Sequence, residues 1–281
     1  TKDEPYAAAY VDIVNTFYAR PDIPIGVARS GITPDTNFEA TVARMRSPSG
    51  GLLYSHDLRD GRRAPDAVDV LRRVLAAQPD SSVVIIQTGF STNLARLLAS
   101  PADRHSPLRG RELVARKVRA LQVMAGRFDS DSSAHDFIEF NVQRDISSAR
   151  ALFERWPTPI EVSGFEVGIA VMYPSESIER DFGYVTHHPV RDGYLHFTGA
   201  HYPYDRPTWD VTSALQAVRG DRQYFGRSMP GRVLVDERGR TSFRPQAGGS
   251  HRYLTVSREQ AIRAREVMIQ LASEPPRATL P

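Results

Sequence analysis

Apolar positions along the chain switch between two periods, and the switching lays out alternating helices and strands. Residues 6–18 carry apolar side chains at helical spacing, and residues 21–28 read as a turn followed by a short, buried, parallel strand. Residues 31–60 are polar and irregular, with 47–51 as a loop. Residues 64–77 return to the helical period through Ala67, Val68, Val70, Leu71, Val74 and Leu75. The β-branched run of residues 82–89 suits only a sheet covered on both faces, which predicts a central strand. Helices are then predicted over 92–98, 113–119 and 146–156, and strands over 120–126 and 158–165. Residues 184–207 turn aromatic, His-rich and irregular. A helix over 209–218, an antiparallel hairpin of 232–236 with 241–243 about Glu237-Arg238-Gly239-Arg240, and a closing helix over 257–271 complete the pattern. This order predicts an α/β fold: a doubly wound, mostly parallel sheet with flanking helices, forming one domain over residues 1–281.

Composition narrows the function. With 41% hydrophobic and 25% charged residues the chain is an ordinary globular protein, not a disordered one. Its 36 basic and 33 acidic residues nearly balance. Arg62-Arg63, Arg72-Arg73 and the arginines of 109–119 fall in amphipathic helical patterns, which reads as solvated helix faces and argues against a nucleic-acid partner. The absence of cysteine removes thiolate nucleophiles and Cys-based zinc sites. No apolar run approaches the roughly 20 residues of a membrane span. The compartment stays open between cytoplasm and export.

Ligands of open parallel sheets bind outside the carboxyl ends of the strands, so the residues just after the apolar runs are the candidates. Thr88 to Ala95 passes from strand to helix through a Gly turn that exposes backbone carbonyls and amides; Thr92-Asn93 also suits a plain N-cap. After Met124-Ala125-Gly126 and a polar loop comes Glu139-Phe140-Asn141. In an extended segment Glu139 and Asn141 project to one side and could grip sugar hydroxyls, or they could form a capping pair. Asp210 opens an apolar helix, as an N-cap or as a metal ligand. His187, His188, His196 and His201 lack the helical spacing of a zinc site and read as loop residues.

Taken in order, Tyr18 to Gly26, Ala64-Pro65-Asp66-Ala67-Val68, Gly89 to Ala95, Met124-Ala125-Gly126, Glu139-Phe140-Asn141 and Trp209-Asp210 resemble the inosine-uridine preferring nucleoside hydrolase family over nearly the whole chain. The resemblance implies hydrolysis of the N-glycosidic bond of ribonucleosides by a water bound to Ca2+. It implies calcium held by an N-terminal Asp-rich loop, by the backbone carbonyl of Thr92 and by Asp210. Glu139 and Asn141 inherit the ribose grip, with Met124 and Trp209 beside the substrate. Family members commonly form dimers or tetramers.

The pattern departs from the family in three places. The Asp-rich loop, with the expected general base, would precede Thr1, along with a strand-helix-strand unit of roughly 40 residues. On this expectation the chain as it stands has little activity. Trp209 stands where several members carry a His that protonates the leaving base, which leaves Tyr202, Tyr204, Arg206 and His201 as candidates for that proton. The family's Asn ahead of the Glu-Phe-Asn motif has no match, although Ser133 could stand there. The rival reading is a non-catalytic nucleoside- or sugar-binding module with the same fold. A dinucleotide-dependent oxidoreductase is a distant third, because no G-x-G-x-x-G turn follows any strand.

Overall fold

The computed structural model describes residues 2, 4–29, 37–129 and 136–276. The chain runs through helices α1 (Pro5–Phe17), α2 (Glu39–Ala43) and α3 (Ala67–Ala76), then strand β1 (Val83–Gln87). Helices α4 (Thr92–Ala99) and α5 (Gly110–Lys117) lead to β2 (Val118–Met124), α6 (Phe140–Arg144), α7 (Ile146–Arg155) and β3 (Ile160–Ser163). There follow α8 (Phe165–Ala170), the short β4 (Met172–Tyr173), α9 (Ser175–Arg180), α10 (Pro189–Leu195) and β5 (Arg206–Pro207). The chain ends with α11 (Trp209–Arg219), β6 (Gly226–Arg227), β7 (Gly231–Val235), β8 (Thr241–Pro245), β9 (His251–Thr255) and α12 (Arg258–Ser273). No helix among the described residues is long and apolar enough to cross a membrane.

Its contacts gather into two compact units, residues 1–70 with 174–206 and 269–281, and residues 71–173 with 207–268. In the first, Glu4 caps α1 by accepting the Tyr6 amide at 2.8 Å, and Pro5 fits the first turn, where no amide donor is needed. Ala9 and Ile13 of α1 pack with Val42, Ala43 and Tyr54. The buried Asp12 carboxylate accepts the amides of Asp57 and Leu58, both at 2.8 Å. The strand predicted over 21–28 does not form: Val27 makes an isolated parallel bridge to Asp66, and Ile23 is half exposed. Pro21 and Pro24 have no amide to give a ladder, and the Ile23 amide turns back to the Arg20 carbonyl. Two short helices, α2 and α10, lie where the sequence reads as irregular.

The second unit holds a seven-stranded sheet in the order β1-β2-β3-β9-β7-β8, with β6 paired to β9. The pairs β1-β2, β2-β3 and β3-β9 are parallel, and the β7-β8 hairpin and β6 run antiparallel to their neighbours. Leu121 and Val123 lie in register with Ile160 and Val162, which puts these four on one face. Phe153 of α7 meets His251 on that face, while Gln216 of α11 reaches Glu161 on the other, so helices cover both. Both covered faces bury β2 from Leu121 to Met124.

Two expectations are corrected. The β-branched run of β1 is an edge strand among the described residues, paired only with β2 and with Ile86 40% exposed. Such a run reports strand propensity and burial, not position in the sheet. Arg72 is not on a solvated face: it is 2% exposed, and its fork donates to both oxygens of Asp103, to Ser100 Oγ and to the carbonyls of Ser106 and Leu108. A guanidinium so completely bonded can be buried.

Candidate functional site

Gly126, two residues beyond the carboxyl end of β2, is the point on which the site is built. Its φ of +71° is a left-handed conformation that glycine adopts without strain, and a Cβ there would lie 2.8 Å from Thr241 Oγ1. Its amide donates to Glu139 Oε2 at 3.2 Å and its carbonyl accepts the Phe165 amide at 2.8 Å. The ends of β2 and β3 and the start of α6 are thereby tied together.

Glu139 is the N-cap of α6. Its Oε1 accepts the Asn141 amide at 2.9 Å and its Oε2 the Val142 amide at 3.2 Å. The motif is therefore a capping turn with Asn141 inside the helix, not an extended pair facing one side. The side chains still converge: Asn141 Nδ2 donates to the Met124 carbonyl at 3.2 Å and lies 3.1 Å from Met124 Sδ. Glu139 is 4% exposed, and burial pushes its pKa up to about 7 against the pull of the three amides, with the charge of Asp210 adding to the rise.

Trp209 and Asp210 form the first turn of α11, whose N-cap position is Thr208, so Asp210 is not the cap. Thr212 anchors this turn, donating to the Trp209 carbonyl at 2.7 Å while sharing a buried 2.6 Å bond with Ser163 at the end of β3. The Trp209 ring stacks on Phe165 with centroids 5.6 Å apart, and its indole N–H donates to the Phe165 carbonyl at 3.1 Å. Asp210 is exposed, yet its field reaches the buried Glu139.

Thr92 begins α4 one residue after the N-cap, Ser91, which makes no side-chain cap bond. Its hydroxyl instead donates to Asp145 Oδ2 at 2.5 Å. Asp145 caps α7 through the Ser148 amide, so one carboxylate joins the starts of two helices. The rule that ligands gather after strand ends could have found one residue that sequence reasoning missed: Glu166 follows β3, where it accepts the Phe128 amide at 3.3 Å. Burial raises the Glu166 pKa, and Asp129 adds to the rise.

The histidine, tyrosine and arginine candidates belong to the first unit. His188 is fully buried among the rings of Phe17, Tyr18, Phe182 and Tyr184, a packing role and not a loop lining. His187 lies 3.5 Å from Asp192, which also accepts the Tyr54 hydroxyl. His196 closes α10, and His201 is exposed. Tyr202 donates to Glu179 at 2.7 Å, Tyr204 stacks on Tyr194, and Arg206 lies over the Phe197 ring. Ser133 lies outside the described residues.

The chain is similar to several solved structures. A plant nucleoside hydrolase, PpNRh1, shares 19% identity at a TM-score of 0.62, over 94% of this chain and 86% of that one. The inosine-uridine preferring nucleoside hydrolase from Bacillus anthracis shares 16% at 0.60, over 94% and 86%. The type III effector protein XopQ, complexed with adenosine diphosphate ribose, shares 18% at 0.64, over 95% and 80%. Likenesses at these identities show a common α/β fold. No curated protein matches the chain. The family model described as inosine-uridine preferring nucleoside hydrolase matches residues 8–268, and the chain belongs to that family.

Proposed function

We propose that this protein acts on ribonucleosides, hydrolysing the N-glycosidic bond to free base and ribose, with the site at the carboxyl ends of β2 and β3. The observation that carries the reading is the convergence of Glu139, Asn141 and Met124 about Gly126, with the charge of Asp210 acting on Glu139. A carboxyl and an amide held side by side suit a vicinal diol, since the carboxylate accepts and the amide both donates and accepts.

Asp210 and the Thr92 carbonyl fit a hard cation in kind, offering two of the six to eight oxygens that calcium takes. A cation at Asp210 would also relieve the repulsion that Asp210 exerts on Glu139. When bound, calcium supplies a water of lowered pKa and a template for ribose hydroxyls. Of the protein's own residues, Glu139 and Asn141 hold the sugar, and Trp209 and Phe165 offer aromatic surface to the base.

A second reading, a nucleoside- or sugar-binding module without turnover, is favoured by one observation. The Trp209 indole N–H is spent on the Phe165 carbonyl, and indole is no acid at the leaving base. Release of free base and ribose from inosine and uridine, with calcium and with a chelator, separates the two. Calcium-dependent ribose release supports the hydrolase. Nucleoside binding without release leaves the binding module standing.

A further inference from the structure

At the opposite end of the parallel strands the second unit holds a cavity of about 610 Å³. It is lined at the start of β2 by Arg119 and at the start of β9 by Arg252, with Gln122, Glu161, Gln216 and Arg227 contributing from the sheet, α11 and β6. Arg119 precedes Met124 by five strand positions, which at about 3.3 Å each is roughly 17 Å from the nucleoside site. The two sites are separate.

The cavity's polar groups are held in place before any ligand arrives. Glu161 accepts Gln122 Nε2 and Gln216 Nε2, each at 2.9 Å, and pairs with Arg227. Burial acts to raise the Glu161 pKa, but these three bonds outweigh it and hold the carboxylate ionised. The charge of Arg227 is thus matched. Asp221, also in the lining, is matched by Arg222 at 3.9 Å. Arg252 is steadied by one bond to the Ser228 carbonyl, which leaves its charge unmatched, and Arg119 has no hydrogen-bond or ion-pair partner among the described residues. Gln122 is 6% exposed, and because its Nε2 must face Glu161, its Oε1 is left without a donor.

Two guanidiniums without a carboxylate partner among the described residues define a dianion, and a cavity of about 610 Å³ leaves room beside a phosphate for the sugar that carries it. We infer that this cavity is a second binding site, for the phosphate group of a small sugar phosphate, with Arg119 and Arg252 holding the phosphate.

Titration of the full chain at low salt with inorganic phosphate, ribose 5-phosphate and ribose, followed by calorimetry and by chemical shifts of the strand-start amides, tests the assignment. Ribose 5-phosphate should bind more tightly than phosphate, and ribose should not bind there. Each of Arg119→Gln and Arg252→Gln should weaken the sugar phosphate roughly tenfold, the scale of one charge-assisted hydrogen bond. Arg252→Gln disturbs the Ser228 contact, whereas Arg119 is exposed and has no partner among the described residues, so Arg119→Gln tests the site without a folding cost. Absence of phosphate binding, binding unchanged in both variants, or equal binding of ribose would each overturn the inference.

Discussion

Glu139 accepts the backbone amide of Asn141 at 2.9 Å, so the carboxyl and the amide side chain proposed to grip ribose are fixed relative to each other by the helix cap they share. The same carboxyl takes the Gly126 amide, which fastens that cap to the end of β2. A site built this way is preorganised: the groups that would meet the sugar are held by main-chain bonds, not by each other's mobility.

The Glu139 carboxyl makes this arrangement pH-sensitive. Below about pH 4.5 the folded and unfolded chains both carry its proton; between 4.5 and about 7 only the folded chain does, so stability falls as pH rises through that window. Glu139→Gln stays neutral throughout. Relative to the parent protein it should gain up to about 3 kcal/mol between pH 5 and pH 8 in urea unfolding. A difference that does not change with pH would mean that the carboxyl ionises normally.

Asn141→Ala removes the bonds to the Met124 carbonyl and sulfur and should cost about 1 kcal/mol of stability. Its larger effect should be on substrate, with KM for nucleoside rising about tenfold or more as a sugar hydrogen bond is lost. Kinetics on a protein of unchanged calcium affinity checks this, and unaltered KM and kcat would remove Asn141 from the site.

Asp210 is exposed in the first turn of α11, so Asp210→Ala should cost no more than about 1 kcal/mol of stability without metal, the scale of a helix-terminus charge. It should abolish any stabilisation by calcium and cut base release at least about 100-fold. Removing this charge should also lower the Glu139 pKa. Thermal unfolding with and without calcium reads the first effect, and the pH profile of Asp210→Ala against Asp210→Ala/Glu139→Gln, set beside the same comparison in the parent, reads the second. Full calcium stabilisation in the variant would show that Asp210 is not a ligand.

The sequence made the long helices and β2, β3 and the β7-β8 hairpin legible, because each carries its period over enough residues to outweigh local noise. It misplaced β1, since a β-branched run looks the same at an edge as at a centre. It missed β9, whose exposed and buried positions do not alternate cleanly. The Glu-Phe-Asn motif was visible as chemistry but not as geometry: a cap with its acceptor two residues before the amide reads like an extended pair until the backbone is known. Asp145 escaped notice because its value lies in a partner 53 residues away.

The Trp209 ring leaves no room beside Gly168. A Cβ there would lie 2.2 Å from Trp209 Cδ1 and 2.6 Å from its Cα. Gly168→Ala should therefore cost about 1–3 kcal/mol and push the indole off Phe165. Urea unfolding gives the first quantity. The second appears as a change in the fluorescence of Trp209 measured in a Trp156→Phe background, and an unchanged spectrum with wild-type stability would show that the α8-α11 contact yields easily.

His188 gives the opposite pH slope to Glu139. Burial lowers its pKa from 6.5 to about 4, with Arg191 lowering it further and Asp192 opposing. Between those values the unfolded chain binds a proton that the folded one refuses, so stability is present above pH 6.5 and is lost as pH falls toward 4. His251, equally buried, is also lowered to about 4 and adds a second such loss. In His188→Phe the ring keeps its place among Phe17, Tyr18, Phe182 and Tyr184, while its acceptor for the Val190 amide is gone. That cap should cost about 1 kcal/mol at pH 7. The fall in stability between pH 6.5 and 4 should shrink by up to about 3 kcal/mol, the remainder belonging to His251. Denaturant melts across that range decide the matter: a slope as steep as the parent protein's would place the acid sensitivity elsewhere.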